Sequence, residues 1–146
     1  MQKILTVIPV VAAALVNPGG QILLQRRPPS AHHGGLWEFP GGKIEPGDWA
    51  DAALVRELFE ELGITVEGSA LESFSFAARR GEPVLLLLYL CRAWQGLPRA
   101  LAAAELGWFE PAVLAALPMP PLDIPLAVAL VAALALALDE GQTTAK

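Results

Sequence analysis

The chain has 146 residues, 54% of them hydrophobic, a formal net charge of -5 and a single cysteine. That length suits one domain with a sizeable core and no need of disulfides or a structural metal. The acidic balance excludes the basic footprint by which proteins grip polymeric nucleic acid, yet it leaves room for a small anion accompanied by a metal ion. Cys91 alone excludes a disulfide framework, reads as a small buried hydrophobe, and fits a reducing, cytoplasmic compartment.

In chain order, the opening run MQKILTVIPVVAAALVNPGG has Lys3 ahead of an apolar stretch, which is the outline of a signal peptide. Its Val, Ile and Thr content and the turn Asn17-Pro18-Gly19-Gly20 favour a strand instead, and with Gln21-Ile22-Leu23-Leu24-Gln25 they predict a buried hairpin. Asp48 to Leu62 predicts a helix, with Asp48 as its cap, Asp51 as a weak capping-box partner and Gly63 as its left-handed stop. Leu71 to Ala77 and Pro83 to Trp94 predict strands around the turn Arg79-Arg80-Gly81-Glu82. Trp108-Phe109 is a short extended piece before a short helix, Pro111 to Leu117. The last apolar run, Ile124 to Leu138, is shorter than the ~18 residues of a membrane span and lacks basic flanks, so it predicts a core helix. It is apolar on every side, so a partner subunit would have a face to cover; monomer and homodimer both stay open.

The chemistry concentrates between Gly34 and Ile64. At 100° per residue, Glu57, Glu60 and Glu61 fall within one arc of the predicted helix, opposite a core stripe of Val55, Leu58, Phe59 and Leu62. Acidic residues opposite an apolar stripe are usually just a solvated face. Three carboxylates so close repel one another, however, and together they offer the oxygen-rich setting that a hard divalent cation takes. Arg56, one turn before Glu60, can hold that side chain. The loop Phe39-Pro40-Gly41-Gly42-Lys43 is bare at its centre, so backbone can come close to an ion and a phosphate, and Lys43 adds a positive charge.

The spacing is more specific than the charges. Gly42, Asp48, Arg56-Glu57-Leu58, Glu60-Glu61 and Gly63-Ile64 resemble the Nudix box, with Asp48 standing where that family has glutamate. The stretches LLQRRP, LWEFPGGKIEPG, Trp94 to Gly96, Trp108 and PPLDIP follow the order of the MutT-like branch. This resemblance implies an α/β/α sandwich with a mixed sheet, and Mg²⁺-dependent (or Mn²⁺-dependent) hydrolysis of a nucleoside triphosphate to the monophosphate and pyrophosphate. It implies metal ligation by Glu57, Glu60, Glu61 and the Gly41 carbonyl, phosphate contacts at Arg27 and Lys43, a pocket-edge position for His32, and base contacts near Phe39 and Asp123.

Two positions depart from the pattern. Asp48 is one methylene short, and reads equally as a helix cap or as a support for the metal site. Ala102 occupies the position of a further family glutamate that serves as ligand or base; either a loop shift brings Glu105 in as the replacement, or water activation rests on the helix glutamates. Asp123 reads equally as the N-cap of the last helix or as a base contact. As an ionised acceptor it would suit the exocyclic amine of cytosine, or the N–H edge of oxidised guanine as a close second. A nucleotide-binding sensor without activity is the alternative to a housecleaning enzyme, and a plain structural domain is the third reading.

Overall fold

The computed structural model describes residues 6–144, with the side chains of 142–144 excepted. The signal-peptide reading rests partly on Lys3, outside the described residues. Among these residues, seven strands and three α-helices follow in the order β1 (Ile8–Leu15), β2 (Ile22–Arg26), β3 (Trp37–Glu38), β4 (Gly41–Lys43), α1 (Ala50–Leu62), β5 (Leu71–Ala78), β6 (Val84–Cys91), β7 (Glu105–Phe109), α2 (Pro111–Leu114) and α3 (Asp123–Thr144), with a short 3-10 turn, Gly68–Ala70, before β5. A mixed sheet runs β4-β1-β6-β5, with β1 parallel to β6 and the other pairs antiparallel; a smaller antiparallel sheet runs β3-β2-β7.

The predicted hairpin is corrected here. Asn17 to Gly20 does form a tight turn, with the Gly20 N–H donating to the Asn17 carbonyl. Beyond the hydrogen bonds between Asn17 and Gln21 at the turn, one bridge, Val16 to Ile22, joins the two runs, and β1 and β2 then part into different sheets. The reason lies in β1: buried on both faces, its near-continuous apolar run suits a central strand flanked by β4 and β6 rather than one arm of a hairpin.

Alternation along β1 separates two cores. Val11, Ala13 and Leu15 face a cluster with Leu54, Leu58 and Leu62 of α1, while Ala12, Ala14 and Val16 face a cluster with Leu126 and Leu130 of α3. The sheet therefore lies between α1 and α3, in the α/β/α arrangement expected.

Helix α1 buries Ala53, Leu54, Leu58 and Leu62, a stripe at four-residue spacing. Phe59, predicted to be core, is 61% exposed, and Val55 is only partly buried. The buried stripe is turned one residue toward the N-terminus, because Leu54 takes the place expected of Val55. The helix begins at Ala50 with Trp49 as its cap residue and no side-chain cap, so Asp48 is not the cap; Asp51 instead accepts from the N–H of Ala52. Gly63 ends the helix at φ 72°, with its N–H on the Phe59 carbonyl.

Helix α3 continues past the predicted Leu138 to Thr144. Its stretch Asp123–Gly141 is long and apolar enough to cross a membrane by length and composition alone. Leu126 and Leu130 are 1% and 0% exposed against the sheet, but most of the stretch is not buried, so only one face of this helix meets the core, unlike the core helix expected.

Candidate active site

The site is built where β3, β4 and the start of α3 converge over one end of α1. A cleft of about 340 Å³ is lined by Arg27, His32, Glu38, Phe39, Gly41, Gly42, Lys43, Glu61 and Asp123, with apolar walls from β1 and Leu122. The geometry thus brings together seven of the residues singled out in the sequence: Arg27, His32, Phe39, Gly41, Lys43, Glu61 and Asp123.

At the helix end, Glu61 points inward. Its Oε2 accepts from the Gln25 amide at 3.1 Å and from the Gly41 N–H at 3.3 Å. Burial pushes its carboxyl up to about 7, with the Glu57 and Glu38 charges adding to the rise and the two hydrogen bonds opposing it. Glu57 lies against the backbone of Gly42: a Cβ there would stand 2.4 Å from the Glu57 carboxyl carbon. Only glycine admits the carboxylate so close. Glu60 is more exposed, with Arg56 Nε 3.9 Å from it.

Arg56 organises the outer part of this cluster. It hydrogen-bonds Asp48, reaches Glu57 at 3.4 Å and the Lys43 carbonyl at 3.4 Å. Asp48 therefore anchors the arginine that touches two of the box glutamates, and its shorter side chain is no obstacle to that work.

Among the described residues, no three His, Cys, Asp or Glu side chains form a ready-made ligand cage. The donor set still fits a hard divalent ion: it is all oxygen, it carries adjacent negative charges, Gly42 leaves room for Glu57, and the desolvation of the inward Glu61 carboxylate is only partly offset by its two hydrogen bonds.

At the other end, Asp123 is 6% exposed and Oδ2 accepts from the Phe39 N–H at 3.1 Å, across 84 residues of sequence. The side chain thus ties α3 to the strand-loop segment of the cleft. Burial, with the nearby Glu38 charge, pushes its carboxyl up to about 7, against the Phe39 hydrogen bond and the Arg27 charge. A carboxyl so raised accepts from the Phe39 N–H when ionised and would offer a donor when protonated.

Glu105 requires a correction. The pleat of β2 turns Leu23 and Gln25 toward α1 and Glu61, and Leu24 and Arg26 to the opposite face. Glu105 is the register partner of Arg26 and lies 2.9 Å from its Nε, so it sits on the face away from the box glutamates. The segment before it is tied down without the shift that would bring it in: the Leu101 N–H donates to the Glu61 carbonyl and the Ala104 N–H to the Arg26 carbonyl. Ala102, between these anchors, leaves the family's extra carboxylate position without one.

Two residues of the site lie inside the stretches LLQRRP and LWEFPGGKIEPG without any role expected of them from the sequence. Glu38 accepts from Arg27 through both carboxylate oxygens at 3.1 Å, and Gln25 spans Glu38 and Glu61. Arg27, expected on phosphate, is accordingly engaged by Glu38 and by the His32 carbonyl at 2.6 Å. Register alone brings Gln25 opposite Glu38; alternation along LLQRR places Gln25 on the α1 face only once β2 is known to lie between β3 and β7. His33 adopts φ 57° with its ring against that of His32.

A family model of the NUDIX domain matches residues 6–129. The CTP pyrophosphohydrolase of Escherichia coli is 37% identical over 122 residues, covering 84% of this chain and 90% of that protein. The 8-oxo-dGTP diphosphatase of Escherichia coli is 35% identical over 112 residues, covering 75% and 84%. Among solved structures, a MutT from work on Aliivibrio salmonicida and Vibrio cholerae superposes with a TM-score of 0.76 at 33% identity, over 86% of this chain and 97% of that one.

Proposed function

Because this chain belongs to the NUDIX family, we propose that it is a divalent-metal-dependent diphosphatase that splits a nucleoside triphosphate into the monophosphate and pyrophosphate. The base is a cytosine or an oxidised guanine, and the role is removal of modified nucleotides in the cytoplasm. The observation that carries this reading is the single cleft holding the inward box glutamate, Glu61, at one end and the buried Asp123–Phe39 pair at the other. A base seated by Asp123 and Phe39 would send its phosphates toward Lys43 and α1. The two E. coli relatives whose names specify CTP and 8-oxo-dGTP frame the choice of base.

The family generally works with a divalent metal, for which Mg²⁺, with Mn²⁺ as substitute, is the choice that all-oxygen donors favour. Glu57, Glu60, Glu61 and the Gly41 carbonyl would hold it, and when bound it supplies neutralisation of phosphate charge and acidification of water. Around it, Lys43 offers a mobile cation to the phosphate chain, and Arg56 keeps Glu57 and Glu60 from splaying apart. Attack by water forms one P–O bond as the α–β bridging P–O bond breaks, the electron pair leaving on the bridging oxygen. With Glu105 turned away, the proton released by that water passes to a carboxylate of α1.

A nucleotide panel assayed for phosphate release, with and without Mg²⁺ and with and without added pyrophosphatase, tests the reading. Signal that needs both Mg²⁺ and pyrophosphatase, strongest for cytidine or oxidised-guanine triphosphates, is the expected outcome. Nucleotide binding without turnover on any substrate would instead make the protein a sensor.

A further inference from the structure

We infer that Gln25 is a positioning residue of this site: its amide nitrogen holds Glu61 in its inward orientation and couples it to the Glu38–Arg27 pair that walls the cleft. The inference rests on the metal-dependent reading above and goes beyond it: Gln25 lies outside the box, and the stretch LLQRRP that contains it implies a role for Arg27 but none for Gln25. Gln25 is 4% exposed on β2, on the face that Leu23 shares and that packs against α1. Its Nε2 donates to Glu61 Oε2 at 3.1 Å and to Glu38 Oε1 at 3.3 Å.

The orientation of the amide is fixed by its partners. Turning it over would aim its carbonyl oxygen at two carboxylates, so only the donor end fits there. The same Glu61 oxygen also takes the Gly41 N–H, so Oε2 is pinned from two sides and the Glu61 carboxylate is held in one pose. Through Glu38, the same amide is joined to Arg27 at the wall that faces Asp123.

Stability alone does not account for a glutamine here. Its carbonyl oxygen is buried without a hydrogen-bond partner, an arrangement that costs rather than stabilises. An apolar side chain of similar length would fill the space beside Leu23 without that penalty. A residue that is suboptimal for packing yet aimed at two carboxylates of one cleft is what a positioning role predicts.

The test compares the full-length protein with Gln25→Met, which keeps the length and removes the donor, and with Gln25→Leu as a second apolar variant. Three readouts are needed: the melting temperature, Mn²⁺ affinity from electron paramagnetic resonance without nucleotide, and steady-state kcat and KM. Gln25→Met is expected to melt within a few degrees of the parent or above it. Its Mn²⁺ affinity and kcat should each fall about tenfold, the range for groups that orient metal ligands, while KM for nucleotide changes less than twofold. Mn²⁺ affinity and kcat both within twofold of the parent would overturn the inference, as would failure of both variants to fold, which would make Gln25 a packing residue. A parent protein that neither binds Mn²⁺ nor hydrolyses a nucleotide would overturn the functional reading itself, an outcome distinct from the other two.

Discussion

Helices α1 and α3 cover opposite faces of one sheet, yet their outer surfaces have little in common. The inner face of each is ordinary: Leu54, Leu58 and Leu62 on one side, Leu126 and Leu130 on the other, none more than 1% exposed. Away from that stripe, α1 carries Glu57, Glu60 and Glu61, each against Arg56, Gln25 or the Gly41–Gly42 backbone. Outside, α3 carries Ile124, Val128, Leu136 and Leu138, all at least half exposed, and no charge before Asp139. A charged outer face with assigned partners is a working surface; an apolar outer face is only an uncovered one until something is shown to cover it.

The sharpest way to break that contrast is to remove a charge from α1. Glu57→Gln keeps size and leaves the core stripe untouched, so the protein should stay folded while turnover drops by ~10² or more. The same change at Glu105, on the far face of β2, should leave kcat and the pH-rate profile within about twofold. Equal losses at both positions in nucleotide turnover assays would erase the distinction between the working helix and the rest of the acidic surface.

A second test separates the two sides by titration. Glu61 and Asp123 have carboxyls raised to about 7 by burial, whereas unfolded carboxyls titrate near 4. Between those values the folded chain binds more protons than the unfolded one, so the stability they contribute is complete below about pH 4 and is lost as pH rises through 7. Urea unfolding of the metal-free protein should lose on the order of 2 kcal/mol per carboxyl between pH 5 and pH 8. Glu61→Gln should flatten part of that slope, and saturating Mg²⁺ should flatten it too; a slope unchanged by either places the titration elsewhere.

At the base end the expected effect is smaller. Asp123→Asn should shift the ratio of kcat/KM between cytidine and oxidised-guanine triphosphates by about tenfold, equivalent to ~1–3 kcal/mol of discrimination. A constant ratio accompanied by a lower melting temperature would reduce Asp123 to the strut between α3 and Phe39. The smallest effect belongs to the outer face of α3, where Val128 is 63% exposed. Val128→Lys should change unfolding free energy by no more than ~0.5 kcal/mol and leave kcat unaltered; a larger loss of stability would mean that this face is covered in solution.

Sequence made α1 legible because its signal is local: residue types at fixed spacing within one helix and its preceding loop. The face of the helix was harder, since Val55 and Leu54 are neighbours 100° apart and only packing against β1 decides between them. In α3 the run from Ile124 to Leu138 has no polar residue to mark an outer side, so periodicity could not say which residues meet the sheet. Glu38 and Gln25 lie inside LWEFPGGKIEPG and LLQRRP, but their mutual role arises from strand register across β2 and β3, which no short window contains. Glu105 shows the converse error, a residue near in sequence to the vacant Ala102 position but turned away by the pleat. The contact between Asp123 and the Phe39 N–H joins segments 84 residues apart, and the rise of the Asp123 carboxyl to about 7 depends on burial that composition does not reveal.

Gly42 and Glu57 meet with no space for another atom between them, though one belongs to a strand and the other to a helix. The atoms met are the free end of a flexible side chain, so a Cβ gained at position 42 would push the Glu57 carboxylate aside before it disturbed the backbone. The change would therefore cost the carboxylate its place beside the loop while sparing the fold.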